Sequence, residues 1–224
     1  MKNYLLFISF MLLTSITFGQ TINWRNLDTK QEHIISTNIG WDYGLGYGLS
    51  YAYQPSSKFP IILNSSLSAP FGEKLLDDFK TKIGAQLLLF KMDHFQIIGK
   101  VQAIYRRYES PLVRLQNFGT ELGSSFGYYQ SKWFVAGQLG FDKAILTHFK
   151  HSNSFRQYIY NDVKDGWYEP SSGGNFSYGV QIGYSFNRQD LTVGIGKTVN
   201  QDFKTTPLIP YYFELGYNFR IMAK

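Results

Sequence analysis

His148, His151 and Ser152 stand close together, with Asp142 before them and Asp162 after. A serine hydroxyl, a histidine base and an orienting acid are the equipment of a hydrolase. His148, His151 and Asp162 are also residue types that ligate zinc. Spacing counts against both readings. Successive residues of a strand point to opposite faces, so His151 and Ser152 diverge if they lie on one. His-x-x-His on a loop, without Cys or an acidic cluster, is a sparse metal pattern. The chain has no phosphate loop, dinucleotide fingerprint or paired-carboxylate motif, so neither a cofactor nor a metal is expected.

A second set of candidates lies in the connection running from about 149 to 175. Loops longer than about 12 residues are uncommon and often functional. This one carries Tyr158, Tyr160, Trp167 and Tyr168 among mixed charges. With His148 and His151, these aromatics form a candidate surface for a glycan, lipopolysaccharide or a partner protein. The alternative is that Trp167 and Tyr168 cap the mouth of whatever the flanking segments enclose. A third set, Lys82, Lys100, Arg106, Glu121, Asp142, Glu214 and Arg220, is scattered along the chain, and its meaning depends on which face each residue occupies.

Faces are legible because a strand repeats every two residues. Phe176, Tyr178, Val180, Ile182, Tyr184 and Phe186 alternate with Ser177, Gly179, Gln181, Gly183 and Ser185. Tyr211, Phe213, Leu215, Tyr217, Phe219 and Ile221 alternate with Tyr212, Glu214, Gly216, Asn218 and Arg220. Further rows begin at Ile83, Ile97, Phe118, Trp133 and Leu191. An odd-numbered apolar row runs from Ile35 to Tyr53, and Ile61, Leu63 and Leu67 suggest one more strand. The third candidate set falls on the polar faces of these rows, where it predicts a charge-paired lumen filling or the lining of a narrow polar pore. By the same parity, His148 belongs on the lumen side of the strand that carries Trp133 and Phe141 outward.

These rows predict an all-β fold: a transmembrane antiparallel up-and-down β-barrel. Splitting the row 33–53 near Gly44–Gly46 gives ten strands, an even number as single-chain bacterial barrels usually have. Eight is the alternative if the segment near Ile61 is irregular. Short connections at 55–58, 92–94, 130–132 and 187–190 alternate with longer ones at 68–79, 109–114, about 149–175 and 200–209. Membrane barrels keep short turns on the periplasmic side, so both termini are expected there.

Composition agrees with a barrel in lipid. Aromatics make up 18% of the chain while mean hydropathy is −0.21, a combination that suits one lipid-facing and one polar face per strand. Lys2, the apolar run Tyr4–Leu13 and the small or polar residues Thr14–Gly19 have the layout of a secretory signal, too short to span a bilayer. Cleavage is expected between Gly19 and Gln20, leaving 20–224 as one barrel domain. The net charge of +6, with no dense basic run, argues against a nucleic-acid partner. Absence of Cys excludes thiol chemistry and disulfides.

The last strand, with Glu214, Gly216, Phe219 and Ile221 at its alternating positions, resembles the C-terminal targeting signal read by the barrel-assembly machinery, although Met222, Ala223 and Lys224 follow it. Together with the Gly19-Gln20 junction and the Tyr/Phe/Gly/Asn-rich strands, it resembles small outer-membrane β-barrel proteins of Bacteroidota. That resemblance implies a Gram-negative outer membrane, with membrane lipid, lipopolysaccharide and the assembly machinery as partners. It brings a non-enzymatic role into view, namely binding, anchoring or narrow-pore solute passage. The alternative in the same fold is a lipid-modifying hydrolase similar to the lipid A deacylases, whose His and Ser stand two residues apart. Here His151 and Ser152 are adjacent, which departs from that pattern.

Overall fold

A strand with one apolar and one polar face is stable only where each face finds its own solvent, and a closed ring of such strands supplies both. In the computed structural model, residues 22–27, 33–42, 44–72, 77–170, 173–204, 206–207 and 209–221 are described. The expected leader 1–19 and Met222–Lys224 lie outside the described residues. The strands are β1 (His33–Asp42), β2 (Gly44–Tyr53), β3 (Ile61–Pro70), β4 (Asp78–Met92), β5 (Phe95–Glu109), β6 (Val113–Tyr129), β7 (Trp133–His151), β8 (Gly166–Tyr168), β9 (Gly174–Phe186), β10 (Gln189–Asn200) and β11 (Tyr211–Ile221).

Ten of these form a closed antiparallel barrel. Each pairs with its neighbour in sequence, β11 returns to β1, and β7 bridges β6 and β9. The short β8 stands apart from the ring and pairs only with Thr147–Phe149 of β7. The odd row from Ile35 to Tyr53 is two strands. Trp41 faces Leu45 and Ile39 faces Tyr47, so odd residues oppose odd ones and the apolar face survives the turn.

Outward residues are bare. Ile83 is 68% exposed and Ile182 56%, and Leu122, Leu191, Ile195 and Leu215 are also exposed. A closed barrel has no second sheet to cover such a face, so hydrocarbon is its natural surroundings. The strands are unequal in height. β1, β2 and β3 have 10 residues each, near the roughly 9–11 that cross a bilayer, whereas β6 has 17 and β7 has 19. The β7–β9 ladder ends at Lys143–Gly174, and β7 continues on to His151. Beyond that point β8 takes over the edge left by β9, which is how an unpaired strand edge is kept from solvent.

Inside, the end that carries the short turns is closed by protein. Ile22 and Trp24, the latter in a 3-10 turn (Trp24–Asn26), pack against Ile34, Ala52, Ile62, Ile98 and Phe134. Asn23, fully buried, donates through Nδ2 to Gln130 O and Ser185 Oγ, both at 2.8 Å. Tyr129 and Phe134 stack with centroids 5.2 Å apart. Phe134 lies so flat against the wall that a Cβ on Gly183 would come within 2.0 Å of its ring, which is why that position of β9 is glycine.

The lipid-facing assignment has a direct test. Ile182→Arg is expected to cost about 2–4 kcal/mol in vesicle-bound unfolding equilibria if the residue sits near the bilayer midplane, and Ile182→Phe to be nearly silent. An arginine tolerated there without loss would place this face in water.

Candidate functional site

At the end opposite the plug, the projecting parts of β5, β6 and β7 line a cavity of about 650 Å3 together with residues of the connection between Tyr160 and Pro170, and Gly173. One irregularity decides which side chains reach it. Phe118 pairs with Leu146 but Gly119 pairs with Ala144, so Ile145 is an extra residue on β7. A bulge of this kind inserts one residue and reverses the facing of everything beyond it. Thr147, Phe149 and His151 therefore turn inward and line the cavity. His148 turns outward, its ring 4.9 Å from that of Trp167, which in turn lies 6.0 Å from Phe118. The expectation that His148 faces the lumen is thereby corrected, the bulge having displaced the parity on which it rested.

The connection is folded rather than open. Ser152 caps a short helix, α1 (Asn153–Tyr158), its Oγ accepting from Phe155 N at 3.2 Å. Phe155 is buried against His151, with ring centroids 4.7 Å apart. Asp165 ties the two sides together. Its Oδ1 accepts from His151 N and is bonded to His151 Nδ1, both at 2.9 Å, and its Oδ2 accepts from Arg156 Nη2 at 2.7 Å. Arg156 Nη1 donates to Val163 O at 2.8 Å, and Tyr168 OH donates to Lys164 O at 2.9 Å.

The six loop candidates thus divide. His151, Tyr160 and Tyr168 line the cavity, His148 and Trp167 form an aromatic pair on the outer surface, and Tyr158 is 77% exposed. The hydrolase arrangement is not assembled. Ser152 Oγ serves the helix cap, and the acid beside His151 is Asp165, not Asp142 or Asp162. Nor do His148 and His151 converge with Asp162 on a metal position, since they sit on opposite faces of β7. Among the described residues no cluster of three His, Cys, Asp or Glu side chains offers one.

The lumen charges sort into layers. Glu121, with no exposed surface, accepts from Lys82 Nζ at 2.8 Å and is paired with Lys100 as well. Glu214 Oε1 accepts from Asn38 Nδ2 at 2.8 Å. Arg106 pairs with Asp78 at 3.1 Å. Arg220 pairs with Asp190 at 3.2 Å, beside the plug. Asp142 Oδ1 accepts from Asn175 N at 3.0 Å. Sequence reasoning missed Asp78, Asp190 and Lys80, although all three have the inward parity, and missed the plug. Its only signal was the apolar-polar-apolar run Ile22-Asn23-Trp24 close to the expected cleavage point.

No family model matches the chain, and no curated protein matches it. Several solved structures do. They include the KdgM porin in complex with disordered oligogalacturonate, at 10% identity over 84% of this chain and 99% of that one, with a TM-score of 0.44. Ail, the attachment invasion locus protein of Yersinia pestis, matches at 9% identity over 85% of this chain and 99% of its own, with a TM-score of 0.38. The β domain of the Bordetella autotransporter BrkA matches at 11% identity over 85% and 99%, with a TM-score of 0.45. Identities this low transfer neither ligand nor activity.

Two outcomes follow from the site. Glu121→Gln leaves the buried Lys82 without its counter-charge and is expected to cost about 3–5 kcal/mol in urea unfolding. A loss below about 1 kcal/mol would mean the layer is not a structural pairing. The second outcome concerns Asp165. Hydrogen bonds from the His151 backbone and ring, and then the Arg156 charge, hold its carboxyl below its ordinary value of 3.8. A depressed acid contributes order that is complete above its unfolded pKa and is lost as pH falls through the folded one. Amide exchange across 153–168 is therefore expected to quicken selectively, relative to the barrel strands, as pH falls below the ordinary carboxylate value of 3.8. Asp165→Asn should show the quick exchange at all pH values, and a pH-independent wild type would remove the clasp.

Proposed function

We propose that the chain is an exported outer-membrane barrel of a Gram-negative bacterium, with both termini periplasmic, that works by binding at its outer end and does not conduct. The observation that carries this reading is the plug. Ile22, Asn23 and Trp24 fill the turn end of the lumen, with Ile22 and Asn23 fully buried. Above them the Lys82–Glu121–Lys100 cluster projects inward from the adjacent strands β4, β5 and β6 at mid-height. Passage would require both to be displaced. A cavity of about 650 Å3, by contrast, is of the size at which proteins hold small ligands.

The bare outer face supports a lipid setting, and the alternation of short turns with long connections supports the orientation. The projecting β6–β7 wall and the folded connection then stand outside the cell, with the outward aromatics His148, Trp167 and Phe118 near the lipopolysaccharide headgroups. An enzymatic role has less support, because Ser152 and His151 are each engaged elsewhere.

Planar-bilayer recording decides between binding and passage. The purified protein is expected to be silent, and stepwise conductance from the wild type would overturn the reading. Excising 152–172 behind a Gly/Ser bridge is expected to leave heat-modifiable migration intact, since closing the shorter loop changes the free energy only weakly, while binding is lost. Failure of the barrel to assemble would make the segment structural.

A further inference from the structure

We propose that the loop-end cavity takes an uncharged, largely apolar small molecule carrying one polar end; this rests on the reading of that end as a binding site. The walls are supplied by Ile104, Leu115, Phe149, Val163 and Pro170, so the body of the ligand meets carbon over most of its surface. Size agrees, since about 650 Å3 lies in the middle of the range that encloses drug-sized molecules.

Charge is what narrows the class. The buried part of the lining contains one cation, Lys80, and one carboxylate, Asp142, within electrostatic reach of each other. Arg106 is engaged by Asp78 at 3.1 Å, and Lys143 Nζ donates to Gln201 Oε1 at 2.9 Å and to Pro170 O at 3.4 Å. The remaining charges, Asp162, Lys164 and Glu169, are exposed at the rim. Lys143 keeps its charge, its partners being neutral, but Lys80, Lys143 and Lys164 are matched in number by Asp142, Asp162 and Glu169, so an ionic ligand would give up its hydration and gain little net counter-charge, a loss that apolar walls do not offset. A sugar would strand several hydroxyls against the same carbon surface.

One polar end has a place to go. Asn117 Nδ2 donates to Thr147 Oγ1 at 2.7 Å on the cavity wall, and both residues line it. A hydroxyl that accepts one bond still has a hydrogen to donate. The pair therefore presents donor and acceptor capacity side by side, suited to a ligand hydroxyl or carbonyl.

The test uses the full chain in lipid nanodiscs and fluorine NMR, with 6-fluoro-2-naphthol, the carboxylate 6-fluoro-2-naphthoate and 4-deoxy-4-fluoroglucose as probes, and empty nanodiscs as the partition control. The naphthol is expected to show saturable binding absent from empty nanodiscs, at least about tenfold tighter than either other probe. Leu115→Trp, which fills the cavity, should abolish it, and Thr147→Val should weaken it about fivefold. If Leu115→Trp does not assemble, as judged by heat-modifiable migration, Thr147→Val carries the test alone. A naphthoate or fluoroglucose signal stronger than that of naphthol, and removed by the same variants, overturns the ligand class and leaves the loop end as the binding site. Naphthol binding indifferent to both variants, or no saturable binding of any probe, overturns the proposal; survival of the binding in the 152–172 excision overturns the loop-end reading as well.

Discussion

Backbone hydrogen bonding sets the terms for everything else in this molecule. Hydrocarbon offers no partner for a peptide N–H or C=O, so a chain that crosses with strands must return its last strand to its first. Here that is the β1–β11 ladder, His33 with Ile221 through Trp41 with Phe213. Once the ring is closed, the two-residue period leaves no freedom. Odd residues of β1 and β2 meet the outside and even ones the lumen, and the lumen is filled by the inward-facing residues of each strand together with the Ile22–Trp24 segment. In this ring of ten strands, buried side chains and ion pairs occupy much of that space.

The filling is divided by end. Apolar side chains and the Ile22–Trp24 segment occupy the turn end, paired charges occupy the middle with voids of only about 50 and 20 Å3 around them, and the roomy cavity of about 650 Å3 lies at the loop end. This partition explains why the long connection is folded. The end of β7 would be a bare strand edge beyond Lys143, and the connection covers it through β8, the Ser152-capped helix and the Asp165 clasp. The same connection supplies Val163, Lys164, Tyr168 and Pro170 to the cavity wall, so one segment both covers the edge and lines the cavity.

How much of this was readable follows from where two-residue alternation holds. Along β9 and β11 every second side chain is apolar, and the strands were legible almost to their ends. β3 was faint because Ser65 interrupts its outward row between Leu63 and Leu67, while Ile62 puts an apolar residue on its otherwise polar inward face. The row on β7 stops being informative at Ala144-Ile145-Leu146, three apolar residues in succession. That run is the trace of the bulge, and without pairing partners it does not say which residue is extra. His148 was misplaced for this reason alone. The inward positions of Lys82, Lys100 and Glu121 follow from parity, but their meeting depends on ring closure, which no local pattern contains. The Asp165 clasp was out of reach because it joins a loop residue to a strand end across 14 positions.

On the proposed reading the barrel is blind, open at the loop end and sealed at the other. The chain has no cysteine, so single-cysteine variants report accessibility without background. Ala144→Cys on the cavity wall and Ala136→Cys beside the sealing core, in vesicles of one orientation, would be exposed to a membrane-impermeant maleimide from each side in turn. The account predicts that Ala144→Cys reacts only from the loop side and Ala136→Cys from neither. Reaction of Ala144→Cys from the turn side would show a continuous lumen and contradict it.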